Sequence, residues 1–236
     1  MERKKFLVVT AGGMGTRMGG PVPKQFMELE GKPILRLTIE RFLEAEPDLQ
    51  VITVLPETHI YTWRQYCLQA DFRCPQRLVK GGFTRFHSVK NALEFVPDGA
   101  LVAVHDGVRP LLSIAKIQEL FSVAQTVPAL IPVMPVTDTL KVLEKKADGT
   151  LAATGEPIDR SRIFGAQTPQ IFYSEGLKKA YTQGFDTLFT DDASVAERYE
   201  IPLTFILGER YNLKITTPED LVLAKAIMQM PDQGRA

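Results

Sequence analysis

The sequence predicts an α/β fold: a mostly parallel, twisted sheet flanked by helices, with a β-hairpin arm projecting from it. Three observations carry this expectation. Four short apolar runs, rich in β-branched residues, are near-continuous, the pattern of strands buried on both faces of a parallel sheet. Stretches with apolar residues at helical spacing lie between them, and strand–helix alternation of this kind gives parallel pairing through right-handed crossovers. One polar segment breaks the alternation with two strand-like runs around Asp148-Gly149.

In chain order, Phe6-Leu7-Val8-Val9 reads as the first strand, ended by Thr10-Ala11-Gly12-Gly13. Leu35, Ile39, Phe42 and Leu43 follow the i, i+4, i+7, i+8 spacing of one helix face, with Pro33 near its start and Pro47 beyond its end. Val51-Ile52-Thr53-Val54-Leu55 is a second strand, stopped by Pro56, and Val89, Leu93 and Val96 mark a second helix. Leu101-Val102-Ala103-Val104 is a third strand, ended by His105-Asp106-Gly107, and Ile117, Leu120, Phe121 and Ala124 give a third helix. The arm spans about 137–159: Thr139-Leu140-Lys141-Val142-Leu143, then Asp148-Gly149, then Leu151-Ala152-Ala153-Thr154. It is too polar to be a core element, and a lone hairpin is marginal in water, so we read it as an arm that meets a partner chain rather than as a solvated surface hairpin. A fourth strand covers 203–207. Thr217-Pro218-Glu219-Asp220 opens the last helix with a cap, Pro at its first position and acids in its first turn; Leu221, Leu223, Ala224 and Ile227 carry it. The tail from Pro231 reads as frayed.

Composition excludes several function classes. The 236 residues, 26.3 kDa, are enough for a full core, and we read one domain over 1–236 with the arm as a subdomain. Lys plus Arg equals Asp plus Glu at 28 each, so the basic excess of a nucleic-acid-binding protein is missing. No apolar run approaches the roughly 18 residues of a membrane span. Met1-Glu2-Arg3-Lys4-Lys5 lacks a following apolar segment before Gly12, so no signal peptide is read and the expected location is cytoplasmic. Two cysteines, Cys67 and Cys74, read as reduced thiols rather than a disulfide or zinc framework. His59, His87 and His105 fit no metal motif, and His87 reads as a surface or packing residue.

The loop Thr10-Ala11-Gly12-Gly13-Met14-Gly15-Thr16-Arg17-Met18-Gly19-Gly20 holds five glycines, whose backbone N–H groups can approach an anion closely. It lacks the third glycine of a dinucleotide fingerprint, because Met18 stands there, and Gly20 is followed by Pro21 rather than the Lys of a Walker loop. Arg17 and, across a proline-stiffened stretch, Pro23-Lys24-Gln25 add two cations, which suits a triphosphate undergoing substitution at phosphorus. Asp106 ends a buried strand, where open α/β sheets hold their ligands, although Asp-Gly is also a common turn pair.

These motifs resemble sugar-phosphate nucleotidyltransferases, and more narrowly the 2-C-methyl-D-erythritol 4-phosphate cytidylyltransferase family. The blocks that carry the resemblance are Ala11-Gly12-Gly13-x-Gly15-x-Arg17-Met18 with Pro23-Lys24-Gln25, Gly81-Gly82 with Ser88, and Val104-His105-Asp106-Gly107-Val108-Arg109-Pro110. Pro135-Val136-Thr137-Asp138-Thr139, Ala166-Gln167-Thr168-Pro169-Gln170-Ile171-Phe172, Thr190-Asp191-Asp192-Ala193-Ser194 and 212–221 continue it across essentially the whole chain. The resemblance implies a Rossmann-like fold and transfer of CMP from CTP to a polyol phosphate, with release of pyrophosphate and without a covalent enzyme intermediate. Arg17, Lys24 and Lys214 would stabilise phosphate charge. Ala11, Gly12, Gly13, Gly15, Gly82, Ser88 and Asp106 would bind the nucleotide, Ser88 alternatively capping its own helix. Asp106, Arg109, Thr139, Arg160, Thr168 and Thr190 would bind the polyol phosphate, Arg160 and Thr168 by reaching across a homodimer joined through the arms. Mg2+ would be held mainly by the CTP phosphates, with Asp106 as its protein ligand. Phe83 departs from the family, where an acidic residue is expected after the Gly pair; it would pack under the nucleotide or in the core. A ribitol 5-phosphate cytidylyltransferase of the same fold is the alternative, since both transfer CMP, and a non-catalytic CTP-binding protein is a third reading.

Overall fold

The computed structural model describes residues 2–12 and 23–230. The chain opens with β1 (Lys5–Thr10); a short ribbon of β2 (Glu28–Leu29) and β3 (Lys32–Pro33) then runs into α1 (Ile34–Ala45). Strands and helices next alternate: β4 (Gln50–Leu55), α2 (Glu57–Gln69), β5 (Gln76–Lys80), α3 (Arg85–Leu93), β6 (Leu101–Asp106) and α4 (Ile114–Ala124). β7 (Ala129–Pro135) leads to the arm strands β8 (Leu143–Lys145) and β9 (Leu151–Ala153). β10 (Phe164–Ala166), β11 (Gln170–Tyr173), α5 (Ser174–Ala180), α6 (Asp192–Arg198), β12 (Thr204–Leu207) and α7 (Pro218–Met228) follow. The expectations for Gly13, Gly15, Arg17 and the tail 231–236 fall outside the described residues.

β5, β4, β1 and β6 lie side by side in parallel register, Thr10 pairing Val54 on one side and Asp106 on the other. β11 then runs antiparallel to both β6 and β7, and β10 continues antiparallel along β7, whose other edge takes β12 in parallel. The sheet is thus mixed but mostly parallel.

Alternate side chains of each inner strand serve opposite faces. Leu7 and Val9 join Leu35, Ile39, Phe42 and Phe121 beneath α1, α2 and α4. Val8, Val102 and Val104 join Phe86, Val89 and Leu177 beneath α3, α5 and α6. A smaller cluster of Leu29, Ile34, Val108, Ile215 and Ala224 seats α7 against β2 and the loop after β6. The Thr217 cap is present as read: its hydroxyl accepts from Asp220 N–H, and Asp220 returns the bond to the Thr217 N–H at 2.9 Å.

The arm differs in detail from the expectation. Its first strand begins at Leu143 rather than Thr139, with Leu143 opposite Ala153 and Lys145 opposite Leu151. Gly149 has φ 84°, a left-handed value suited to glycine, and Asp148 accepts from the Thr150 N–H at 2.9 Å. The Lys146 N–H reaches the Thr150 carbonyl, so a longer loop replaces a tight two-residue turn and shifts the paired stretch towards it. Cys67 and Cys74 are free thiols; burial raises both, Cys74 to about 12.

Phe42 is buried, with its ring centroid 4.7 Å from that of His105. Phe42→Ala is expected to cost about 3–5 kcal/mol of stability. Urea unfolding followed by fluorescence of Trp63, the sole tryptophan, measures it.

Candidate active site

A cleft of about 350 Å³ opens at the carboxyl ends of β1, β5 and β6, the edge at which open α/β sheets bind ligands. Backbone and small residues form one wall. The Gly81 N–H bonds the Leu55 carbonyl, and the Gly82 N–H donates to Ser88 Oγ at 3.0 Å. Ser88 in turn donates to the Thr84 carbonyl at 2.9 Å. The α3 cap is Thr84, whose hydroxyl accepts from the His87 N–H, so Ser88 is free of that task and braces the glycine turn. A Cβ at Gly82 would collide with the His87 backbone and Cβ, which is why this turn requires glycine.

On the other side, the Ala11 N–H is held by the Val54 carbonyl, and the Ala11 carbonyl accepts from the buried Gln25 Nε2 at 3.0 Å. Ala11 therefore offers the cleft a methyl wall rather than a phosphate donor. Gln25 ties the short turn Lys24–Phe26 to the end of β1 and so sets Lys24 in the cleft lining beside Gly12.

Asp106 is the one carboxylate among the described lining residues, and it is buried. Arg109 Nε and Lys214 Nζ each lie 3.1 Å from its Oδ2, and Arg85 Nε lies 3.8 Å from its Oδ1. Burial alone would raise the Asp106 pKa; the charges of Arg85, Lys214 and Arg109 outweigh it and hold the carboxyl well below the usual carboxylate range. Lys214 remains half-exposed, so this cation is both paired and accessible.

Behind Asp106 sits a polar frame. The neighbouring His105 is fully buried, and burial lowers its pKa to about 4, so it is neutral. Its Nε2 lies 3.1 Å from the Arg109 carbonyl and its Nδ1 3.1 Å from the Thr168 hydroxyl. A neutral ring satisfies both by donating from Nε2 and accepting at Nδ1. The Thr168 hydroxyl also accepts from the Asp106 N–H at 3.1 Å. Asn212 Nδ2 donates to the Thr168 carbonyl and to Gln167 Oε1, and the Asn212 carbonyl accepts from Arg109 Nη1 at 2.8 Å. This frame fixes the loop that delivers Lys214. Thr168, expected to bind substrate across a dimer, is buried within its own chain, its hydroxyl engaged by the Asp106 N–H and by His105.

Of the other expected residues, Gly12, Lys24, Gly82, Ser88, Asp106 and Lys214 line the cleft, and Arg109 lies behind Asp106. Thr139, Arg160 and Thr190 are outside the lining, and all three are exposed; Arg160 Nη1 donates to the Thr137 carbonyl at 2.8 Å. Phe83 is not a core residue: it stands fully exposed at the rim of the cleft. Arg85 was missed. Its signal was a cation at the first turn of a helix, where the macrodipole disfavours positive charge, directly after a glycine turn. Among the described residues, no group of three or more His, Cys, Asp or Glu could hold a metal ion. A single carboxylate fits a Mg2+ carried mostly by substrate phosphates, which needs few protein ligands.

Over residues 6–230 the chain matches the family described as 2-C-methyl-D-erythritol 4-phosphate cytidylyltransferase. The relative of that name from Porphyromonas gingivalis W83 is 45% identical over 230 residues, covering 97% of this chain and 99% of its own length. That from Bacteroides thetaiotaomicron is 42% identical, covering 95% and 100%. Among solved structures, the 4-diphosphocytidyl-2C-methyl-D-erythritol synthase of Anaerococcus prevotii superposes with a TM-score of 0.77 at 25% identity, covering 97% of each chain. The 2-C-methyl-D-erythritol 4-phosphate cytidylyltransferase of Thermus thermophilus gives 0.72 at 29% identity, covering 97% and 100%.

The frame carries a pH signature. His105 binds its proton near 6.5 when unfolded but only near 4 when folded, so between these values the unfolded chain holds more protons and stability falls as pH falls. Asp106 adds its loss only below its ordinary range. The urea midpoint is therefore expected to decline from about pH 6.5 towards 4, and His105→Gln to flatten that decline.

Proposed function

The chain belongs to the 2-C-methyl-D-erythritol 4-phosphate cytidylyltransferase family, and on that footing we propose how its cleft transfers CMP from CTP to 2-C-methyl-D-erythritol 4-phosphate, an isoprenoid-pathway step that releases pyrophosphate. A phosphate oxygen of the acceptor attacks the α-phosphorus of CTP in line. The new P–O bond forms as the bond to the bridging oxygen breaks, and pyrophosphate leaves with that electron pair. No group on the chain needs to be a nucleophile; positioning and charge stabilisation carry the reaction.

The observation that carries this reading is the Lys214–Asp106 pair sharing one cleft with Lys24 at the strand ends. Lys214 can turn from the carboxylate to an arriving phosphate without leaving the cleft, and Lys24 with Arg17 meets the remaining phosphate charge. Gly82 and Ser88 flank the nucleoside, and Asp106 with Arg109 meets the polyol. Asp106 is the carboxylate that would hold a Mg2+ brought by the triphosphate, and the ion would supply neutralisation of phosphate charge.

The acceptor phosphate is met by groups outside the lining, Arg160 with Thr139 and Thr190, contributed across a homodimer. Two features support the dimer: arm residues Leu143 and Leu151 are exposed, as are Phe164, Phe205 and Leu207. The last three are paired along β7 opposite Pro135, Ile131 and Val133, so all three face the same side of the sheet. No helix of the described residues is long and apolar enough to cross a membrane.

Pyrophosphate release with CTP and Mg2+ tests the reading: turnover is expected with methylerythritol phosphate, and turnover with ribitol 5-phosphate alone would overturn the acceptor assignment. Lys24→Ala and Arg17→Ala are each expected to lower kcat about 100-fold. Arg160→Ala is expected to raise KM for the acceptor with KM for CTP unchanged. If Arg160 acts across the dimer, mixing Arg160→Ala with Lys24→Ala subunits recovers part of the lost activity. Mixtures no better than either parent would place Arg160 in its own chain's site.

A further inference from the structure

The two oxygens of Asp106 are unequally used. Oδ2 receives both Arg109 and Lys214, whereas among the described residues Oδ1 faces Arg85 Nε alone, at 3.8 Å, too far for a hydrogen bond. Arg85 lines the same cleft, with 29% of its side chain exposed. Its Nη2 is pinned 2.5 Å from Oδ2 of Asp192, a completely buried carboxylate whose other oxygen accepts from the Tyr181 hydroxyl at 2.6 Å. Tyr181 is buried and stacks on Phe86, ring centroids 4.7 Å apart. One guanidinium nitrogen is therefore fixed from behind while the Nε edge looks towards Asp106.

A single oxygen can lie about 2.8 Å from each of two points 3.8 Å apart. Such an atom must give a proton to Asp106 Oδ1 and accept one from Arg85, which a hydroxyl does. An ether or carbonyl oxygen has no proton to give, and a phosphate oxygen would face the carboxylate charge. We infer that Arg85 is a substrate-contacting specificity residue, which with Asp106 Oδ1 binds one hydroxyl of the polyol acceptor and is aimed by Asp192 and Tyr181. The inference rests on the transfer proposed above. Lys214 shares the Asp106 carboxylate, so the bound hydroxyl neighbours a phosphate drawn by Lys214. This favours the short polyol over the ribose, whose 2′ and 3′ hydroxyls lie across the sugar from its phosphates.

Steady-state pyrophosphate release by the full chain tests it, with CTP, methylerythritol phosphate and acceptor analogues each lacking one hydroxyl. Arg85→Gln is expected to raise the acceptor KM about 10-fold or more, leave the CTP KM within about twofold, and erase most of the unmodified enzyme's preference for the intact acceptor over one of the analogues. Arg85→Lys should recover part of the acceptor KM. Tyr181→Phe keeps the packing but frees Asp192, and should move the acceptor KM in the same direction by about twofold to threefold. A raised CTP KM with an unchanged acceptor KM would assign the hydroxyl to the ribose and overturn the inference. Lower kcat and melting temperature with both KM values unchanged would make Arg85 a brace between α3 and α6 only. No turnover by the unmodified protein would overturn the activity reading and this inference together, whereas normal turnover with unaltered acceptor KM in Arg85→Gln and Tyr181→Phe overturns this inference alone.

Discussion

One buried carboxylate governs the cleft. Asp106 ends a strand that is buried along its whole length, and it gathers cations from three separate parts of the chain: the start of α3, the loop after β6 and the segment before α7. Without it, Arg85, Arg109 and Lys214 would repel one another in a site partly shielded from water, each pair costing of the order of a few kcal/mol at protein-like screening. With it, the cations converge before any ligand arrives. A site assembled in this way exchanges partners on binding: an anion can take Lys214 from Asp106 without a new charge having to be buried. The reorganisation that would otherwise oppose catalysis is done during folding.

The same carboxylate explains why the chemistry needs the antiparallel half of the sheet. The parallel strands alone bring Thr10, Gly12 and Asp106 to one edge. Lys214 and Arg109 hold their places because β11 and the preceding Gln167-Thr168 segment insert beside β6, where the Thr168 hydroxyl bonds the Asp106 N–H and the Asn212 side chain bonds the Thr168 carbonyl. His105 makes this joint possible only while neutral, since one ring nitrogen must donate to Arg109 and the other accept from Thr168. The last buried acceptor of the frame, Asn212 Oδ1, has no hydrogen-bond partner among the described residues. The amide is nevertheless kept, because its Nδ2 is what joins Thr168 and Gln167 to the Lys214 loop.

This division also sets what could be read from residues alone. α1 was legible because Leu35, Ile39 and Phe42 all point into one core, and β1 and β6 because both their faces are buried. α2 was not, since Trp63 alone of its thirteen residues is buried and no apolar stripe forms. β5 is an edge strand with a single buried residue, and Pro132 and Pro135 disguise β7. In the site, the glycine turn, Lys24 and Asp106 were legible because such residue types advertise anion and hydroxyl chemistry locally. Arg85, Asp192 and Tyr181 were not, because their meaning lies in a contact between residues 107 positions apart. The intrachain partners of Thr168 were hidden for the complementary reason: a hydroxyl in a motif looks free until the fold assigns it a partner.

The charges of the described cleft lining fall short of those that the two substrates bring. Its described lining holds Lys24, Arg85 and Lys214 against Asp106, a surplus of two positive charges. The two substrates together bring roughly four negative charges on the triphosphate and about 1.5 to 2 on the acceptor phosphate. Arg17 and a divalent cation, in the roles proposed for them, would reduce the deficit at the triphosphate, where charge is densest. The acceptor phosphate still needs a donor, and its attack on the α-phosphorus brings like charges together, so that donor must not be one already spent on the leaving group. Arg160 is the donor proposed for this requirement. It lies outside its own chain's cleft lining, is exposed beside the arm, and has a forked head that can grip a phosphate while one nitrogen stays on the Thr137 carbonyl. An arm with almost no core of its own and three aromatic or aliphatic side chains left bare on one sheet face are costly to leave in water. Covering them with a second copy is the association proposed above, and an arginine carried across it to a neighbouring cleft would complete the charge balance of the reaction.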